Sequence, residues 1–185
     1  MVAGVSPQHN PRCLITLSTR RKWFAVTTST TDSPAARSGS TPAERCAFYH
    51  HVYRLPAAVD PATHRILLPV GGLVGAITMP VELGRRVLAG LRVRMLAGPV
   101  VDRPQTQRWT FITGPGHKLD ETVFADLLRL GASVAPTGDN VVLPSPSDER
   151  LGLWRWERVP EQLHDFPPQS AVIATTRVMA TPTAW

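Results

Sequence analysis

Apolar residues in this chain come in short runs, each interrupted by Gly, Pro or Arg. None approaches the roughly 20 uninterrupted apolar residues needed to cross a hydrocarbon layer, which excludes a transmembrane helix from the sequence reading. The runs alternate between helical and strand periods. Thr41-Pro42-Ala43-Glu44 is a capping box with proline at the first helical position, and Cys46, Phe48, Tyr49, Val52 and Tyr53 follow at helical spacing. This predicts a helix of about three turns ending before Pro56. Residues 65–70 and 73–79 read as strands separated by Gly71 and Gly72, a signal for a tight hairpin. Pro80 opens a second helix with an apolar stripe of Leu83, Val87, Leu88 and Leu91, and with Glu82 four residues before Arg86 for a surface ion pair. That helix is expected to run to Leu96.

Beyond Gly98, residues 99–102 and 108–113 read as strands joined by a polar connection. Asp120 starts a third helix carrying Val123, Phe124, Leu127, Leu128 and Leu130, and Gly131 is placed to stop it in the left-handed conformation. Residues 133–135, 140–143 and 153–157 read as short strands. The interleaving predicts an α+β fold, a mixed β-sheet with hairpins covered by two to three helices. The expected organisation is a disordered basic tail over residues 1–40, one globular domain over 41–165 and a C-terminal extension over 166–185.

Composition narrows the functional classes. A chain of 185 residues that is 43% hydrophobic argues for one core and against wholesale disorder. Cys13 and Cys46 form neither a disulfide framework nor a four-cysteine zinc site. The run 13–17 is too short for a secretory core and precedes its cationic cluster, the wrong order for a signal peptide, so a cytoplasmic location is expected. The net charge of +6 is uneven: residues 1–40 hold five basic groups against Asp32, whereas residues 41–185 hold fifteen basic against thirteen acidic. Arg20, Arg21 and Lys22 beside Trp23 suit a phosphate-clasping arm; alternatively, the residues before Val26 follow a misplaced translation start. The excess of Arg over Lys, eighteen to two, is as well explained by GC-rich coding as by binding.

The stretch 67–80, then Gly98-Pro99-Val100-Val101, Arg108-Trp109-Thr110-Phe111, residues 140–147 with Pro144-Ser145-Pro146-Ser147, and Leu153-Trp154-Arg155-Trp156-Glu157-Arg158 follow one another in a distinctive order. Over these roughly 95 residues the chain resembles the amino-terminal domain of actinobacterial bifunctional DNA primase/polymerase proteins. The resemblance implies an Asp-x-Asp pair at the end of the strand that here reads Ala76-Ile77-Thr78-Met79-Pro80, and a nucleotide-binding histidine near Arg108 and Trp109. Neither is present. Nucleotidyl transfer uses metal ions held by paired carboxylates, and strand alternation puts residues i and i+2 on one face. No two acidic residues in the chain stand two apart. The expectation is a catalytically inactive relative with no catalytic residue, no metal and no cofactor.

The remaining candidates concern binding. In the strand at 153–158, alternation places Trp154, Trp156 and Arg158 on one face and Arg155 on the other, while Trp109 shares a face with Phe111. An open face would offer a stacking platform for bases, with Arg108, Arg155 or Arg158 on the backbone; core packing is the competing reading. Gly116, His117 and Lys118 precede a helix start, where free N–H groups favour anions. Cys46 and His50 stand at i and i+4 with His51 beside them, a partial metal set or an ordinary packed pair. The expected partners are single-stranded DNA or RNA in DNA-handling machinery; a protein-interaction module of replication or transcription without nucleic-acid affinity is the alternative.

Overall fold

The structure, a computed structural model, describes residues 40–161 and 166–180. The tail with Arg20, Arg21 and Lys22 lies outside the described residues. The first helix, α1 (Pro42–Val52), begins as the capping box requires: the Glu44 N–H donates to Thr41 Oγ1 at 3.2 Å, and the Thr41 N–H donates to Glu44 Oε2 at 3.1 Å. Donors on Ser40 and Thr41 hold the Glu44 carboxyl below its ordinary range. Thr41→Ala is expected to lower stability by about 1 kcal/mol in a denaturant titration, the cost of one N-cap.

Among the described residues eight strands follow, β1 (Ala58–Val59), β2 (Ile66–Pro69), β3 (Gly75–Pro80), β4 (Val100–Arg103), β5 (Arg108–Thr113), β6 (Ser133–Val134), β7 (Asn140–Leu143) and β8 (Arg155–Arg158). Four more helices among the described residues, α2 (Val81–Val93), α3 (Glu121–Arg129), α4 (Pro146–Arg150) and α5 (Gln169–Ala180), complete an α+β fold. Every strand pairing is antiparallel, in a three-stranded sheet β1-β2-β7 and a five-stranded sheet β6-β3-β5-β4-β8. The expected single mixed sheet is therefore two sheets. The turn at Gly71 and Gly72 forms, with reciprocal hydrogen bonds between Gly71 and Val74, yet no hairpin grows from it: β2 enters the small sheet and β3 the large one. A turn signal fixes where the chain reverses; which strands then pair is a matter of what each can bury.

The two faces of the large sheet carry separate cores. Ile77, Met79, Val100, Trp109 and Phe111 pack with Leu83, Val87, Leu88 and Leu91 of α2 and with Val172 and Ile173 of α5. Ala76, Val101 and Ile112 share the other core with Ile66 and Leu68 of β2 and with Cys46 and Tyr49 of α1. Residues 166–180, read as an extension, thus supply a helix to the main core. Smaller corrections are local. α2 ends at Val93, and Glu82 pairs with Arg85 at 2.9 Å rather than with Arg86. Ser145 caps α4, its hydroxyl accepting from the Asp148 N–H at 3.2 Å. Cys46 and His50 both hydrogen bond to the Ala57 carbonyl, which makes them a packed pair.

Candidate nucleic-acid interface

The strand register sorts the sequence-derived candidates. Cross-strand partners share a face, so the pairs Val101↔Trp156 and Asp102↔Arg155 put Trp156 toward the small sheet and Arg155 toward the helices. A bulge at Glu157 then breaks the alternation, and Arg158 pairs with Val100 on the helix side. Arg158 does not share the face of Trp156, as strict alternation had it. Trp109 lies beneath α2, packed so closely on Gly84 that a Cβ there would stand 2.9 Å from its ring. Trp109 and the pair Trp154 and Trp156 are consequently on opposite faces of the large sheet, and no common aromatic platform exists.

Several candidates already have structural partners. Trp156 is half-buried and donates its indole N–H to Tyr49 Oη at 2.9 Å. Arg155 Nε donates to Asp102 Oδ2 at 2.8 Å, neutralising a carboxylate that is buried among the core strands. Arg158 donates to the Ala97 carbonyl and pairs with Glu161 at 3.1 Å. These side chains hold the sheet edge together.

What the structure does bring together is a groove of about 390 Å³ on the small-sheet face of the large sheet. Its lining includes Thr78 and Thr110, adjacent partners in the β3–β5 ladder whose hydroxyls hydrogen bond at 2.9 Å. Ala76 and Thr78, two apart on β3, both line it. Arg103, Arg108 and Trp154 line the same groove. The guanidinium groups of Arg65 and Arg103 stand over the Trp154 ring at 4.6 and 5.2 Å from its centre. Trp154 is buried with two cations over its ring, and cation–π attraction holds the two guanidinium groups in place.

The electrostatics of this groove are unusual for a hairpin. Arg103 and Arg108 are direct partners across β4 and β5, and like charges in that position repel. Arg108 directs its donors to the carbonyls of Thr78 and Gly131. Among the described residues, none of Arg65, Arg103 and Arg108 has a carboxylate within 4.0 Å, whereas Arg45, Arg155, Arg158 and Arg177 all do. Arg65 and Arg103 were missed by the sequence reading. The signal was available for Arg103, since pairing 99–102 with 108–113 already sets it opposite Arg108.

Gly116, His117 and Lys118 are exposed on the loop before α3 and line a different cavity, which shares Val134, Ala135 and Pro136 with the groove. Among the described residues no three His, Cys, Asp or Glu side chains converge to hold a metal ion, and no helix is long and apolar enough to cross a membrane. Comparison of the chain with protein-family models, with curated proteins and with solved structures finds no match.

Proposed function

We propose that the groove binds the phosphate backbone of a single-stranded nucleic acid and that the protein acts as a non-catalytic module of DNA-handling machinery. The observation that carries this reading is that Arg103 and Arg108 line the groove, with Arg65 beside Arg103 over Trp154 at its edge, and that none of the three has a carboxylate within 4.0 Å among the described residues. Cross-strand repulsion between Arg103 and Arg108 costs stability unless an anion sits between them, and a phosphate relieves it. Trp154 preorganises the guanidinium groups, so less side-chain freedom is lost on binding.

The floor of the groove supports the absence of nucleotidyl transfer. Thr78 and Thr110 are neutral, hydrogen bonded to each other, and stand on the face where a metal-dependent transferase needs acids. The primase/polymerase resemblance fits this reading as a scaffold whose metal ligands have been replaced.

The test is the salt dependence of binding to a fluorescent oligo-dT by the full-length protein. Three arginines neutralising three phosphates give a slope of log K against log salt of about −2 for a single strand. A salt-insensitive signal, or no binding at low salt, overturns the reading and turns attention to a protein partner. Template-dependent incorporation of labelled nucleotides overturns its non-catalytic half.

A further inference from the structure

The cavity beside the groove has a feature that packing alone does not account for. Gln169, the first residue of α5, is only 4% exposed, yet its side-chain amide makes no hydrogen bond to any described residue. The amide lies in a slot between two glycines. A Cβ on Gly75 would come within 2.9 Å of Nε2, and one on Gly116 within 2.8 Å of both Nε2 and Oε1. The amide atoms stay reachable from the cavity that Gln169 lines, so a molecule filling that cavity meets an acceptor and two donors that no described residue engages.

The surroundings indicate what that ligand is. The cavity measures about 640 Å³, within the roughly 300–1,000 Å³ usual for small-molecule sites. Val70, Val74, Phe124 and Val134 supply apolar walls. At the other side stand His117, Lys118 and the start of α3, where Asp120 occupies the N-cap without its side chain bonding the first-turn N–H groups. Those N–H groups, with the positive end of the helix dipole and the Lys118 ammonium, suit a phosphate. Glu121 is the one acid among the described residues of the lining, and it limits the site to a ligand of low negative charge.

We infer that this cavity is a nucleoside monophosphate site. The planar base lies against the apolar walls, with its polar edge on the Gln169 amide, which offers one acceptor and two donors. The phosphate is held by Lys118 and the first turn of α3. The inference is independent of the groove, because it draws on none of Arg65, Arg103 or Arg108.

Calorimetric titration of the full-length protein with AMP, GMP, UMP and inorganic phosphate tests it. At least one nucleotide is expected to bind more tightly than phosphate by about tenfold, the worth of one hydrogen bond to a buried group. Gln169→Leu is expected to erase that advantage without lowering Tm. Lys118→Ala, at an exposed position that cannot compromise the fold, is expected to weaken nucleotide and phosphate alike. The inference is overturned if no nucleotide outcompetes phosphate, or if Gln169→Leu binds as the parent does. Should that variant fail to fold, unchanged affinity in Lys118→Ala overturns it equally. Nucleotide binding that is lost in Arg103→Glu and kept in Lys118→Ala would place the ligand in the groove and sink this site while sparing the first.

Discussion

Exchanging Arg65 and Arg103 together for glutamate is expected to lower affinity for a single-stranded oligonucleotide by about a hundredfold, the loss of two charge-assisted contacts at about 1.5 kcal/mol each. The same variant should flatten the salt slope, since fewer counterions are released. Folding stability is expected to move little. The lost contacts with Trp154 cost about 0.5–1 kcal/mol each, but a glutamate at position 103, opposite Arg108, replaces a repulsive cross-strand pair by an attractive one. A matched control is Arg86 and Arg92 on α2, which packs on the other face of the large sheet; reversing them changes net charge equally. Equal loss of affinity in both variants would mean that binding follows overall charge and not this groove. The comparison also separates Arg103 from Arg155: Arg155→Ala leaves the buried Asp102 carboxylate without its partner, so its principal effect is expected on Tm.

The second large effect is expected at Tyr49. Its hydroxyl donates to the Pro144 carbonyl at 2.6 Å and accepts from Trp156 Nε1 at 2.9 Å, joining α1, the start of α4 and β8 inside the core. Tyr49→Phe keeps the ring but strands both partners, and the expected loss is roughly 3 kcal/mol, or about 10 °C in Tm. Burial pushes the Tyr49 hydroxyl up to about 12, against the opposing influence of Arg45 and Trp156 as donors. An unfolded tyrosine ionises near 10, so between these values the folded state keeps a proton that the unfolded state has released. Stability is therefore expected to hold below pH of about 10 and to fall as pH rises toward about 12, by an amount on the order of 2–3 kcal/mol. Denaturant melts of Tyr49→Phe across the same range should lack that component. An identical alkaline decline in the variant would assign it to other groups.

Much of the local structure was legible because it rests on neighbours in sequence. The capping box at Thr41 and Glu44 forms as written, Pro80 stands at the entrance to α2, and Gly131 takes a φ of 67° at the end of α3. The β4–β5 hairpin follows from its two apolar runs and the polar connection between them. Each of these depends on caps, turn chemistry or period, all contained within a dozen residues.

The site was legible only in part. Arg108 and Trp154 were named, but the company they keep was not, because Arg65 comes from the small-sheet strand region and Arg103 from the large sheet. Trp109 could not be separated from Trp154 by alternation, since alternation gives the two sides of one strand and not which side of the neighbouring strand matches. A single extra residue, the bulge at Glu157, was enough to turn Arg158 away from Trp156. The unpartnered Gln169 could not be found at all, for its meaning depends on the two glycines that close on it from residues 75 and 116.

From the sequence alone came the α+β class, the positions where helices begin and strands reverse, and the lack of any pair of acids two apart, because propensity, capping and spacing act over short distances. Tertiary structure decided that β2 and β3 part at Gly71 and Gly72 into different sheets and that Arg103 and Arg108 line one groove with Arg65 beside them over Trp154. It also decided that a helix beyond residue 166 completes the core. Those outcomes depend on which apolar faces can be buried together across the whole chain, a competition that no local segment contains.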